Sequence, residues 1–271
     1  MTRIYNSILA LALFLTGGVH TMPAQTQAAV PSAQTLPAPG VAAPAPVPQP
    51  PRPTPAFYRN LVVLDPAHGG RDNGAQLSSN AVEKDLTLAF AQKLRPALVA
   101  QGFTVVATRD SDPSDELTTD ERAGIANHVR PLVCIVIHAT AAGNGVHVVS
   151  SSLAEVDSKP SSRALLWNRA QEPMVAMSLK LANEVGLTLE TNHLPVMLFR
   201  ASVPPIDSLI CPTIAIELAP LKGNSGKPML PSDSSYQQRV ITAIADGIAS
   251  FRTHNAPPPT SVPGAKPGVT P

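Results

Sequence analysis

The sequence predicts an α/β fold: one domain built on a mostly parallel, twisted sheet with helices on both faces. Three observations carry that expectation. Four apolar runs rich in β-branched residues, at 61–64 (LVVL), 103–107 (FTVVA), 132–137 (LVCIVI) and 213–218 (TIAIEL), have the length and character of strands. Segments with apolar residues at helical spacing lie between and after them, the alternation that builds parallel sheets. Of the 30 prolines, 11 fall between Pro23 and Pro55 and six between Pro257 and Pro271, so both ends are poor in packable sequence. The foldable part is 58–253, long enough for one core of ordinary size.

The first run ends in Asp65 and Pro66 and enters a turn with His68, Gly69, Gly70 and Gly74, whose glycines permit positive φ and close approach of a ligand. Asn80 as N-cap with Glu83 three residues on has the form of a capping box, opening a helix through Leu86, Phe90, Leu94 and Leu98. Pro96 is expected to kink or end it. After Gly102 comes the second strand, giving a strand–helix–strand crossover. The acidic stretch 110–120 reads as a loop, and Thr118 with Glu121 forms a second capping box for a short helix reaching Asn127. The run 132–137 is continuously apolar, as a central strand covered on both faces requires, and His138 ends it. A short strand follows at 145–149, in which His147 reads as an ordinary strand residue. The serine-rich segment 150–162 is a loop. Met174, Met177, Leu181 and Val185 mark a helix over 172–185 with its methionines toward the core, stopped by Gly186. A strand is expected at 196–199, and the apolar run 213–218 is interrupted by a carboxylate, Glu217. The last helix aligns Tyr236, Val240, Ile244, Ile248 and Phe251 on one face.

A net charge of +1 with no basic cluster argues against nucleic acid as a partner. Residues 1–29 have the parts of a secretory signal: Arg3, an apolar stretch at 8–15, and small residues at Thr26, Ala28 and Ala29. The apolar stretch is shorter than the roughly 20 residues that span a bilayer. The expectation is an exported protein of the periplasm or cell envelope, without stable membrane insertion of its mature form. Residues 30–57 read as a proline-rich linker in extended conformation and 254–271 as a proline-rich tail. Cys134 and Cys211 each lie in or beside an apolar run and read as buried small hydrophobes, although export would also allow them to form one disulfide.

The chemistry gathers at element ends. His68 follows the first strand, Glu83 begins the first helix and His138 ends the central strand, and open parallel sheets collect ligands beyond the carboxyl ends of their strands. Two imidazoles and one carboxylate suit Zn²⁺ and leave a fourth tetrahedral position for water. Glu217 within an apolar strand is costly to bury as an ion unless a nearby charge compensates; a metal centre does so, as would a lysine or arginine at the sheet edge. Asp65 suits either a carboxylate supporting His68 or a turn-forming residue.

The segments LDPAHGGRDNGA, EKDLTLAFAQKL, VVATRD, ERAGIAN, IVIHATA and TIAIEL, in this order from Leu61 to Leu218, resemble the zinc-dependent N-acetylmuramoyl-L-alanine amidases of the Amidase_3 type. The resemblance implies a peptidoglycan hydrolase that cleaves the amide between the lactyl group of N-acetylmuramic acid and the L-alanine of the stem peptide. It implies His68, Glu83 and His138 as zinc ligands and Glu217 as the catalytic general base and acid acting with zinc-activated water, with supporting roles at most for Arg109 and Asn127. Two departures from the family pattern bear on the site: Ala67 stands where the turn usually has glycine, and Ala219-Pro220 follows the glutamate in place of glycine and phenylalanine. The first is expected to shift the turn and the second to alter the wall that admits substrate. A zinc peptidase acting on the stem peptide, or a wall-binding protein without turnover, would use the same residues. No activator protein is identified by the sequence, and 150–168 is the one region where a blocking insert would lie.

Overall fold

The computed structural model describes residues 58–156, 165–222 and 227–256. Residues 1–57, expected to be an export signal and linker, and 257–271 of the expected tail lie outside them, as does 157–164 of the 150–168 region; 254–256 are described, and His254 ends the last helix. A six-stranded sheet runs in the order β4-β1-β5-β8-β6-β7. Its strands are β1 (Tyr58–Pro66), β4 (Thr104–Ala107), β5 (Pro131–Ala139), β6 (Val146–Ser151), β7 (Val196–Ala201) and β8 (Thr213–Leu218). All neighbours pair in parallel except β6 with β8. A two-stranded antiparallel ribbon, β2 (Gln76–Ser78) with β3 (Ala81–Val82), follows the first turn.

Alternation along each strand divides the core into two layers. Val62, Leu64, Val133, Ile135, Ile137, Ile214 and Ile216 face α1 (Glu83–Ala100), α3 (Val175–Thr191) and α4 (Ser234–His254). Val63, Cys134, Val136, Val149 and Ala215 face the other way, toward α2 (Thr119–Val129) and a 3-10 turn at Ile206–Ser208. The helices thus cover both faces, as the sequence predicts. Tyr236, Val240, Ile244, Ile248 and Phe251 are fully buried, and α2 opens with the Thr118–Glu121 capping box.

Five local expectations change. The Asn80 capping box does not form: α1 starts at Glu83 with Val82 at its N-cap and no side-chain cap. Its first N–H groups donate instead to the glycine-rich turn, Glu83 N to Ala75 O at 2.9 Å and Lys84 N to Asn73 O at 3.2 Å. Pro96 lies inside α1 without ending it, because Leu94 and Leu98 on either side are fully buried and their packing offsets the lost hydrogen bond. Gly186 likewise sits inside α3, where its missing Cβ makes room for Leu198 of β7. The buried stripe of α3 is Val175, Ser178, Leu181, Val185 and Leu189; Met177 is half-buried and packs against the core as expected, whereas Met174 lies in the 3-10 turn before the helix, which begins only at Val175. Lastly, Cys134 and Cys211 are joined in a disulfide rather than buried as separate thiols, their Cα atoms 6.2 Å apart. β5 and β8 are adjacent, with Cys134 opposite Thr213, which brings Cys211 within reach.

Candidate metal centre and active site

The turn after β1 is held by buried cations. Arg109 donates to the carbonyls of Pro66, Ala67 and Lys84, and Arg122 to those of Pro66 and His68. Lys84 donates to Gly70 O at 2.8 Å. With four turn carbonyls fixed, His68 is kept in a left-handed conformation at φ 63°. Positive φ falls on His68, Gly69, Gly70 and Gly74, not on Ala67. Ala67 therefore replaces glycine without the expected backbone penalty, and its N–H donates to Ile137 O across the sheet.

His68, Glu83 and His138 are brought together, each offering a ligand atom within 4.8 Å of the others. Nε2 of His68 is 3.0 Å from Glu83 Oε2, and Nδ1 of His138 is 2.9 Å from Glu83 Oε1. The backbone N–H groups of Ala75 and Ala139 donate to the two oxygens of Glu83, one to each. Burial pushes the Glu83 carboxyl up, but the hydrogen bonds from His138, His68 and the two amides outweigh it and hold the group well below the usual carboxylate range. His68 is raised above the ordinary imidazole value, chiefly by its hydrogen bond with Glu83, against the opposing effect of burial and with a further contribution from Asp72. His138 Nε2 is buried without a hydrogen-bond partner. Two imidazoles, a carboxylate held ionised and an orphaned ring nitrogen fit a divalent metal of the zinc type. Gly74 keeps the space open: a Cβ there would lie 2.6 Å from His68 Cδ2 and 2.7 Å from Glu83 Oε2.

The carboxylate that supports His68 is Asp72, whose Oδ2 is 2.6 Å from His68 Nδ1. Asp65 serves elsewhere: its Oδ1 accepts from Thr108 Oγ1 and from Arg122. The only sequence signal for Asp72 is its place four residues after His68 in the turn. Asn127 is a structural clamp, bonding Ser208 O and Ile210 N.

Glu217 sits in β8 directly opposite His138 of β5 on one side and His147 of β6 on the other. These three side chains form a row on one face of the sheet. His147 Nδ1 lies 2.6 Å from Glu217 Oε2, which makes it a partner of the carboxylate rather than a plain strand residue. Only the antiparallel pairing of β6 reveals this. Glu217 remains about one third exposed. Ala219 and Pro220 do not line the cavity that holds His68 and His138. Their backbone closes the strand end, with Ala219 N donating to Gly145 O, Gly145 N to Pro220 O and the Tyr236 hydroxyl to Ala219 O.

The profile of the Amidase_3 family, described as N-acetylmuramoyl-L-alanine amidase, matches residues 62–250. This chain belongs to that family. The amidase domain is 26% identical over 224 residues to an N-acetylmuramoyl-L-alanine amidase of Mycobacterium tuberculosis, covering 73% of this chain and 89% of that protein. It is 28% identical to the germination-specific N-acetylmuramoyl-L-alanine amidase of Bacillus subtilis, over 73% of this chain and 82% of that one. In fold, the amidase is similar to a Mycobacterium smegmatis amidase structure, with a TM-score of 0.56, 20% identity, and coverage of 72% of this chain and 97% of the other. An amidase of Nostoc punctiforme gives a TM-score of 0.53 at 23% identity, covering 73% and 99%. Among the described residues, no helix of this amidase is long and apolar enough to cross a membrane.

Proposed function

We propose that this amidase hydrolyses the bond between the lactyl group of N-acetylmuramic acid and the L-alanine of the peptidoglycan stem peptide, with zinc held by His68, Glu83 and His138 and with Glu217 as general base and acid. The observation that carries the reading is the three-donor cluster with Glu217 in the adjoining strand position, opposite His138. Zinc, when bound, supplies Lewis-acid polarisation of the scissile carbonyl and acidifies water. Asp72 fixes the orientation of His68, and the Ala75 and Ala139 amides fix Glu83. Glu217 accepts a proton as water oxygen adds to the carbonyl carbon, then delivers it to the leaving nitrogen as the C–N bond breaks. The products are a lactyl carboxylate and a free L-alanine amine. His147 holds Glu217 Oε2 and so orients the carboxylate for both transfers. The signal-like residues 1–29 support export to the envelope, where this substrate lies.

Mass spectrometry of peptidoglycan digested by the zinc-loaded protein tests the reading. Intact stem peptides beginning at L-alanine are expected, and Glu217→Ala is expected to slow their release by roughly 10²–10⁴-fold. Chelation should abolish release and added zinc restore it. Trimmed peptides still attached to muramic acid, or unchanged peptidoglycan, would overturn the proposal.

A further inference from the structure

A second cavity, of about 590 Å³, opens beside the metal centre. It shares Thr119, Val203, Pro204 and Pro205 with the cavity of about 180 Å³ that contains His68 and His138. The two therefore adjoin across that wall, and the larger has the size of a small-molecule site. Its wall carries Trp167, the single tryptophan of the chain, with 48% of its surface exposed. The indole N–H donates to Asp120 Oδ1 at 2.8 Å, which ties the ring to the start of α2. An exposed tryptophan with its polar edge already bonded presents an oriented apolar surface.

The polar groups around it select the ligand. Asp120, Asn168, Ser202 and Asp207 line the same cavity. Asp207 already accepts from the Ser151 and Ser202 hydroxyls and Asp120 Oδ1 from Trp167, which leaves Asp120 Oδ2, the Asn168 side chain and the second lone pairs of Asp207 for hydroxyl and acetamido groups. Arg169, the cation in the wall, is ion-paired with Glu172. Two carboxylates with that cation engaged elsewhere disfavour a ligand bearing free carboxylates, such as a stem peptide, and accept a neutral sugar ring. We propose that this cavity is the subsite for the glycan side of the scissile amide. It takes an acetamido pyranose, with the C–H face against Trp167 and the hydroxyl groups toward Asp120, Asn168 and Asp207. The assignment rests on the amidase reading, which puts a sugar on one side of the bond cut at the metal centre and a peptide on the other.

Because Trp167 is the sole tryptophan, its fluorescence reports directly on the cavity. The zinc-loaded protein is titrated with the neutral disaccharide of two N-acetylglucosamine units, and separately with free stem peptide. A saturable change with the disaccharide and none with the peptide is expected. In steady-state cleavage of a soluble muropeptide, Trp167→Ala should raise KM about tenfold with kcat little changed, and Trp167→Phe should recover most of the loss. Matching melting temperatures for wild type and both variants would show that the fold is intact. An unchanged fluorescence with disaccharide, a change produced by the peptide instead, or an unaltered KM in Trp167→Ala would overturn the subsite. Failure of the wild type to release stem peptides would overturn the amidase reading separately, with the fluorescence titration still deciding whether the cavity binds sugar.

Discussion

Asp72 shows how one side chain sets the state of another. Its carboxylate lies 2.6 Å from His68 Nδ1, which directs the opposite ring nitrogen toward Glu83. Removing it frees the ring to rotate within a turn whose backbone stays fixed by Arg109 and Arg122. Asp72→Ala is therefore expected to weaken zinc affinity by about 10–100-fold without loss of fold, measured by competition against a chromogenic chelator. Most of this centre was legible residue by residue, because His68, Glu83, His138 and Glu217 all stand at element ends or interrupt an apolar run. Asp72, His147 and Arg122 were not, since each matters through a partner: Asp72 shares a turn with His68, whereas His147 and Arg122 reach theirs across strands or from another element.

Between elements, close approach and capping decide more than propensity does. Gly247 of α4 meets α3 so tightly that a Cβ there would lie 2.7 Å from Val185 Cα, and Thr188 Oγ1 donates to Ala243 O at 2.7 Å beside it. Gly247→Val should push the helices apart and destabilise the domain by about 1–3 kcal/mol, read from a denaturant midpoint. The N-terminus of α4 gives a pH-dependent counterpart. Asp233 caps it, and hydrogen bonds from the Ser235 hydroxyl and the Tyr236 and Ser235 amides hold its carboxyl below its ordinary value of 3.8. A depressed carboxyl contributes stability above its unfolded pKa and loses it as pH falls through the folded one. The melting temperature of wild type should thus fall more steeply between about pH 5 and about pH 3 than that of Asp233→Asn, whose amide caps without titrating. The real start of α1 was hidden for a related reason. Its first amides are satisfied by the carbonyls of Asn73 and Ala75, and a backbone cap leaves no residue signature.

At the level of the whole molecule, the Cys134–Cys211 disulfide closes a loop of 77 residues between β5 and the entry to β8. Chain-entropy arguments give such a crosslink about 4.5 kcal/mol. Reduction, or Cys134→Ala with Cys211→Ala, should lower the denaturant midpoint accordingly while leaving the metal cluster assembled, measured by zinc binding at low denaturant. The link lies on the same face of the sheet as the His138–Glu217–His147 row, since Cys134 and His138 are separated by an even number of residues along β5.

The sequence by itself determined the strand–helix alternation, the two-layer burial pattern, the family and the four side chains at the proposed reaction centre. These follow from local periodicity and from residues that break it, and both are written along the chain. The tertiary structure decided which carboxylate supports His68, that His147 holds Glu217, that the cysteines are joined, and that Trp167 lines a cavity sharing a wall with the one at the metal centre. Each of these depends on which strands and loops become neighbours. That is fixed by how the two sheet faces bury their apolar rows, a property of the whole packed core rather than of any one segment.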